Sequence, residues 1–363
     1  MNEDIYARLG ERLNQNPYRL PLNEPVLALL RHLFTEEQAA LGAEFPLGAH
    51  TADSLAGELN RDQGQLTGLL EIMADKGLIF TNRQDDGTID YSLNPFAPGI
   101  IELQFMRGNE TEEERRTAQL LKAVHASVAE LVRPLYQDPE KANEVFPRPG
   151  LRTLSIEETL PDGTTIYPYE QITSLLEGEM SYAAGACTCR QEHKLNNDAC
   201  KIENAPKNTC IYFGKVADYM VDWNFADRLT KGEVLDLLKA CEDAGLVHNA
   251  TNTWGNSILM CNCCSCCCPF LRNMKTFRGL QSVAKSNFVA IADRDSCIGC
   301  GECIDRCQME ALSLVDDAVS LHQDYCIGCA NCTSVCPTES LSMVRQSENQ
   351  PPIRKSKVEK LGK

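Results

Sequence analysis

Eight cysteines near the C-terminal end of the sequence form two runs with identical spacing. The first run is Cys297, Cys300, Cys303 and Cys307, and the second is Cys326, Cys329, Cys332 and Cys336. Each cysteine lies 29 residues before its counterpart, and four other pairs keep that offset: Asp295/Asp324, Ile298/Ile327, Gly299/Gly328 and Leu312/Leu341. An offset shared by cysteines, glycines and apolar residues predicts two similar halves packed about a pseudo-two-fold axis.

The spacing also restricts what these cysteines can bind. Gaps of two residues in a tight loop direct three thiolates at one centre, whereas the fourth cysteine of each run lies too far along to join them comfortably. Zinc sites made of four cysteines use two Cys-x-x-Cys pairs instead. The pattern therefore favours iron–sulfur clusters over zinc.

Over roughly residues 288–345 the pattern resembles the bacterial two-cluster ferredoxins. The resemblance implies two [4Fe–4S] clusters, each taking its fourth ligand from the other run. The implied ligands are Cys297, Cys300, Cys303 and Cys336 for one cluster, and Cys326, Cys329, Cys332 and Cys307 for the other. Gln308 is a departure, because that family usually has proline after the crossing cysteine, and it puts the geometry of this loop in question.

Composition limits the architecture and the compartment. The chain has 363 residues, of which 43% are hydrophobic, enough for two or three domains with real cores. Nineteen cysteines in so long a chain, with no apolar leader at its start, predict a reducing cytoplasm, and oxygen-sensitive clusters suggest an anaerobe. We find no apolar run of the ~18–20 residues that a membrane span needs.

The charge argues against nucleic acid as a partner. The formal net charge is −16, and the basic residues cluster only in the tail, residues 346–363, which is predicted to be flexible. The clustered basic residues are Arg354, Lys355, Lys357, Lys360 and Lys363. An acidic surface suits docking to the basic patch of a redox partner, either a soluble carrier or an oxidoreductase subunit.

Residues 1–100 are predicted to form a winged-helix-like domain. Helical patterns cover Glu24 to Phe34, Thr51 to Leu59 and Gln63 to Asp75, and a hairpin signal follows around Asp85-Asp86-Gly87. The third helix carries no arginine, and acidic residues outnumber basic ones from Thr51 to Phe80. Because DNA binding needs phosphate contacts, a packing or partner-docking role is favoured over a DNA reader.

A helical connector, residues 101–150, separates this domain from a cysteine-rich one at residues 151–286. A capping box at Thr111–Glu114 predicts a helix that ends near Arg133-Pro134. In the second domain Pro161-Asp162-Gly163 predicts a hairpin turn between extended runs, and Thr230–Glu233 is another capping box. Cys241 falls on the apolar side of the helix that follows and is interpreted as an inert core thiol.

Two further cysteine groups lie in this domain. The first comprises Cys187, Cys189, Cys200 and Cys210, and the second comprises Cys261, Cys263, Cys264, Cys266, Cys267 and Cys268. Four thiols suit a cluster or a zinc ion, and their intervals match no zinc knuckle, so a cluster is favoured, with zinc or plain structural thiols as alternatives. Arg190 would place a cation beside these sulfurs and is the candidate cofactor-contacting residue.

The six-cysteine run is expected to bind metal, because bare thiolates so close together repel one another. If the run is extended, Cys261, Cys263 and Cys267 face one side and the other three cysteines face the opposite side. We therefore predict that it lies against the Cys187–Cys210 segment and forms one metal region with it. A metal-free redox thiol patch is the alternative.

The whole chain, from about Glu24 to Arg345, resembles a family of multidomain iron–sulfur proteins from anaerobic bacteria, which implies the cofactor but no reaction. We predict an α+β protein with two [4Fe–4S] clusters and one or two more, relaying low-potential electrons between a soluble carrier and a partner oxidoreductase. The alternatives are a reductase with its active site between Cys187 and Cys268, and a redox-sensing regulator. His193 and His248 are not predicted to be ligands.

Overall fold

The computed structural model describes residues 4–16, 19–145, 149–178, 180–253 and 257–351. Helices and strands are mixed, so the fold is of the predicted α+β class. The chain packs into two compact units. The first comprises Met1–Pro134, Gly185–Ala199 and Lys215–Asp227, and the second comprises Leu135–Ala184, Cys200–Gly214 and Arg228–Lys363. The five-segment division made from the sequence stays a prediction, and the basic residues of the tail lie outside the described residues.

The first unit is mainly helical. Its helices, two of which cross the unit boundary by a residue or two, are Ile5–Leu13, Glu24–Leu33, Glu36–Glu44, Ala52–Leu59, Gln63–Asp75, Ile101–Leu103, Glu112–Tyr136, Thr188–Leu195 and Gly214–Asp222. An antiparallel sheet is formed by His50–Thr51, Ile89–Leu93 and Ile79–Arg83, in that spatial order. One continuous apolar core includes Leu30, Leu70 and Phe105. The winged-helix assignment itself stays a prediction.

Helix boundaries in this unit follow local side-chain chemistry. Thr111 and Glu114 form the predicted capping box, since the Glu114 N–H donates to Thr111 Oγ1 (3.2 Å) and the Thr111 N–H donates to Glu114 Oε2 (3.1 Å). The helix was predicted to end near Arg133-Pro134 and ends at Tyr136. Proline lacks the N–H that a helix interior needs, but here it lies in the last turn, where little helix remains to be disturbed.

The second unit is organised around a six-stranded sheet. Its strands in the described residues are, in spatial order, Leu151–Thr153, Val247–Thr251, Leu259–Cys263, Asn208–Phe213, Tyr182–Ala186 and Asp227–Leu229. The first four pair antiparallel, and the register sets Cys210 opposite Cys261 and Val247 opposite Cys263. The sheet thus brings cysteines from distant parts of the sequence into line.

Short helices and two hairpin-like ladders complete the second unit. The helices are Pro139–Val145, Ile172–Leu175, Lys231–Asp243, Pro269–Thr276 and Glu302–Arg306, with 3₁₀ turns at Glu157–Thr159, Pro168–Glu170, Gln323–Tyr325 and Thr333–Val335. Phe288–Ala292 pairs antiparallel with Leu341–Arg345, and Leu312–Val315 pairs antiparallel with Ala318–Leu321. Thr230 and Glu233 form the predicted capping box, and Cys241 is fully buried.

Two expectations for this unit are wrong. Pro161 accepts a turn hydrogen bond from Thr164, but the described residues on either side form 3₁₀ turns and irregular chain instead of a hairpin. The six-cysteine run is extended only as far as Cys263, after which it turns and enters the helix that begins at Pro269. The turn ends the alternation of faces on which the predicted two-sided run depended.

A separate finding concerns membranes. Among the residues that the structure describes, none of the helices combines the length and the apolar character required to cross a bilayer.

Candidate metal centres

The eight repeated cysteines lie on loops between the two paired ladders of the second unit. The Phe288–Ala292 strand precedes the first loop, and its partner Leu341–Arg345 follows the second, so pairing of these strands closes the region into one body. Cys303, Cys332 and the apolar residues Phe288, Leu312 and Val319 share one core. The repeat seen in the sequence is therefore a structural repeat, with each half contributing one cysteine run and one strand to each of the two ladders.

One cavity in this region is lined by four of the cysteines. They are Cys307, Cys326, Cys329 and Cys332, which come from both runs. The other lining residues include Ala290, Leu312, Leu321 and Ile327. A mainly apolar space surrounded by four thiols fits an iron–sulfur cluster, which needs sulfur ligands and excludes water. Burial raises the pKa of the Cys329 thiol to about 12, so metal binding must displace that proton.

Of the remaining four cysteines, Cys300 is exposed, Cys297 and Cys336 are half-buried, and Cys303 is buried. The Val319 N–H donates to Cys297 Sγ (3.3 Å), and together with the Gly299 N–H it lowers the pKa of that thiol. Burial would raise the pKa of Cys336, but hydrogen bonding with Ser340 (3.2 Å) and with neighbouring backbone groups outweighs it and lowers the pKa to about 7. Hydrogen bonds to sulfur of this kind stabilise bound thiolates.

Glycines allow both cysteine loops to turn tightly. Gly299 and Gly328 have φ values of +68° and +74°. A Cβ atom would lie 2.5 Å from the Asp317 carbonyl oxygen at Gly299, and 2.0 Å from the Phe288 carbonyl oxygen at Gly328. Because both conformation and space exclude a side chain, the shared glycine offset has a direct structural cause.

The two loops differ sharply in exposure although their sequences match. Ile298 is 66% exposed, whereas its counterpart Ile327 is 3% exposed. Cys300 is likewise exposed, whereas Cys329 lies in the cavity described above. Ile327, Cys307 and Cys329 share an apolar core with Cys263 and Cys268 of the six-cysteine run. Ile298 and Cys300 therefore face solvent, whereas Ile327 and Cys329, together with Cys307 of the first run, face the cysteine-rich part of the same unit.

Gln308, the departure from the ferredoxin pattern, makes a specific connection. Its Oε1 accepts hydrogen bonds from the Ser265 N–H (2.9 Å) and from Ser265 Oγ (3.2 Å), and its Nε2 donates to the Gly245 carbonyl (3.1 Å). It is buried beside Cys307 and holds Ser265 in the turn that follows Cys263. The sequence showed that Gln308 departs from the ferredoxin pattern, but it did not identify Ser265 and Gly245 as its partners.

A tight group of four thiols forms at that turn. Its members are Cys200, Cys264, Cys266 and Cys267, whose sulfurs all lie within 4.8 Å of one another. Cys200 Sγ is 3.6 Å from both Cys264 Sγ and Cys266 Sγ. Hydrogen bonding with Cys264 lowers the pKa of Cys200 to about 7. The four sulfurs are therefore close enough together to bind one metal ion.

The other cysteines of the run form a second, separate group. Cys263 hydrogen-bonds to Cys261 and Cys268, which together with burial raises the pKa of its thiol. Cys210 pairs directly with Cys261 across the sheet, and residues opposite one another in an antiparallel pair point to the same face. Four cysteines, Cys210, Cys261, Cys263 and Cys268, are thus gathered from two strands and a helix N-terminus.

Cys187, Cys189 and Arg190 belong to the first unit. Cys187 precedes the Thr188–Leu195 helix, which is anchored by a hydrogen bond from Thr188 Oγ1 to the Glu102 carbonyl (3.2 Å). Their predicted role at a metal stays a prediction. His193 contacts Asp198 (2.9 Å), while His248 is buried against Asn262 and Glu242.

Comparison with known proteins identifies one part of the chain. Residues 290–343 match the family model of a 4Fe-4S dicluster domain. Searches of curated proteins and of solved structures returned no match. The matched domain establishes [4Fe–4S] clusters as cofactors of this protein and indicates iron–sulfur electron transfer.

Proposed function

We propose that this protein relays single electrons between a soluble carrier, which docks at the Cys297–Cys303 loop, and an acceptor reached through the cysteine-rich part of the second unit. The observation that carries this proposal is the opposite exposure of Ile298 and Ile327. One cysteine loop is exposed and its counterpart in the repeat is buried. Electrons would therefore enter at the exposed loop and leave through the buried one. Bound [4Fe–4S] clusters supply the one-electron chemistry.

The proposed ligands follow the crossed pattern. Cys307, Cys326, Cys329 and Cys332 surround the inner cavity, which supports crossing for that set, because Cys307 comes from the first run. Cys297, Cys300, Cys303 and Cys336 remain for the outer set. The charge of Cys336 opposes the lowering of the Cys297 pKa, as a second thiolate in the same site would.

The outer loop has the surface of a docking site. Ile298 and Val315 are exposed, and Gly299 is close to the carbonyl of Asp317 in the adjoining turn. Exposed Asp293 and Asp295 precede the same loop, and Arg294 between them donates a hydrogen bond to the Val315 carbonyl (2.7 Å). An apolar centre with an acidic margin suits a partner that presents a basic rim, since charge steers the encounter and apolar contact holds it.

The inner loop leads to the second thiol group. Cys307 and Cys329 share an apolar core with Cys261, Cys263 and Cys268, so no polar surface separates the two sets. We propose that Cys210, Cys261, Cys263 and Cys268 bind a further cluster there. We also retain as proposals the reducing, cytoplasmic setting and the absence of nucleic-acid binding.

The test uses the exposed loop. Ile298→Arg should slow anaerobic reduction of the protein by a reduced carrier protein with a basic docking surface about tenfold, the equivalent of about 1.4 kcal/mol of lost docking energy. Leu235→Arg is the matched control, because Leu235 is an exposed apolar residue on the Lys231–Asp243 helix of the same unit. Equal rates for both variants, with unchanged iron content, would exclude docking at this loop.

A further inference from the structure

Two kinds of thiol site are distinguishable in this chain by the separation of their sulfurs. A single ion bound by four thiolates holds them at the corners of one tetrahedron, so Zn–S bonds of about 2.3 Å give sulfur separations of about 3.8 Å. A [4Fe–4S] cluster attaches each thiolate to a different iron, which spreads the sulfurs further apart. Sulfur spacing therefore reports what a set of four cysteines is built to hold.

The Cys200 group has the spacing of a single-ion site. Its hydrogen-bonded separations are 3.6 Å to Cys264, 3.6 Å to Cys266, and 3.8 Å between Cys266 and Cys267. Among the residues that the structure describes, it is the one set of three or more potential ligands with all ligand atoms within 4.8 Å. Neither set of ferredoxin-type cysteines meets that limit, although both are described, so they serve as an internal comparison for cluster ligands.

We propose that Cys200, Cys264, Cys266 and Cys267 bind one zinc ion as a closed structural site. Four protein thiolates leave no open position, which is typical of structural zinc and unlike catalytic zinc. Among single ions that accept tetrahedral thiolate coordination, Zn²⁺ binds more tightly than Fe²⁺ in the usual order of divalent metals. The site does not depend on the proposed electron transfer and goes beyond it.

The surroundings support a preformed structural site. Cys264 and Cys267 are each 2% exposed, so the ion would be largely shielded from solvent. The Ile202 N–H points to Cys200 Sγ (3.5 Å), the type of backbone contact that orients a bound thiolate. On the other side, Gln308 fixes Ser265 within the turn. The ion would join the Cys200 loop to this turn, two segments that lie far apart in the sequence.

The experiment measures metals in the intact, anaerobically purified protein. Zinc, iron and acid-labile sulfide are quantified for the wild type and for Cys200→Ser, which alters the ligand furthest in sequence from the turn. We expect the variant to lose about one zinc per chain while iron and sulfide stay unchanged. The matched variant Cys300→Ser should behave in the opposite way, losing iron and retaining zinc. Loss of iron from Cys200→Ser, as one ion or as a cluster, would overturn the proposal.

A measurement on the wild type covers the case in which a variant fails to fold. Zinc K-edge X-ray absorption should show four sulfur neighbours at about 2.3 Å and no iron neighbour. A protein with its full iron content but no zinc, or zinc with nitrogen and oxygen neighbours, would refute the site. Because the ferredoxin EPR signals are recorded on the same sample, failure of this site is distinguishable from failure of electron transfer.

Discussion

Replacing Gln308 with alanine tests whether this side chain couples the ferredoxin loop to the cysteine-rich turn. The substitution removes three hydrogen bonds made in a buried position. Gly245 keeps a donor, because Asn331 Nδ2 also donates to its carbonyl (3.0 Å), and Ser265 Oγ can rotate to another partner. The main loss is the Ser265 N–H, and a buried donor left without a partner costs about 1–3 kcal/mol.

Adding about 1 kcal/mol for the remaining hydrogen bonds gives a total near 3 kcal/mol, which corresponds to roughly a hundredfold change in a local opening equilibrium. Hydrogen–deuterium exchange is the suitable assay, since cofactor-containing proteins seldom unfold in two states. We expect amides of residues 264–268 to exchange about a hundredfold faster in Gln308→Ala under anaerobic conditions. Gln323→Ala, at an exposed glutamine of the same region, is the control. A change below about threefold, or equal to the control, would refute the coupling.

Two further predictions concern backbone space and charge. Gly328→Ala should lower iron content, since its Cβ would meet the Phe288 carbonyl at 2.0 Å, whereas Gly57→Ala, where nothing lies within 4 Å, should leave iron unchanged; equal iron in the two variants would contradict this. Burial opposes ionisation of Glu170, but Arg345, the Tyr167 N–H and Asn287 outweigh it and hold the pKa of Glu170 below its ordinary 4.5. Glu170→Gln removes an interaction of about 2 kcal/mol and should therefore lower the midpoint of anaerobic thermal unfolding at pH 7, relative to exposed Glu158→Gln. The difference should shrink as the pH falls below 4.5 and the wild-type carboxylate is protonated too. A difference independent of pH would contradict it.

The cysteine repeat was predictable because the intervals between its cysteines indicate which cofactor they bind. Three thiols separated by two residues converge only in a tight loop, and that loop requires the glycines that share the offset. Exposure was not predictable from the same pattern, since Ile298 and Ile327 are identical in type and local context. The 63-percentage-point difference in their exposed fractions arises from the residues that pack against each half, which the local sequence does not specify.

The six-cysteine run shows a second limit of sequence reasoning. Alternation of side chains holds only while the backbone is extended, and the strand ends at Cys263 because the chain must turn before Pro269, a residue suited to the first turn of a helix. The proline after the last cysteine was the available signal for that turn. The partnership of Cys200 with the turn had no local signal, because 64 residues separate it from Cys264.

The turn after Cys263 also explains why six cysteines lie in eight positions. Cys264, Cys266 and Cys267 join Cys200 at the proposed zinc, whereas Cys261, Cys263 and Cys268 flank the turn and face the inner ferredoxin loop. In this proposal Cys264, Cys266 and Cys267 fix the conformation of the turn. That conformation determines where Cys268 lies relative to Cys263. Gln308, which follows Cys307, also hydrogen-bonds to the same turn at Ser265. A structural ion at the centre of the run would therefore hold the ligands of an adjacent electron-transfer site in position.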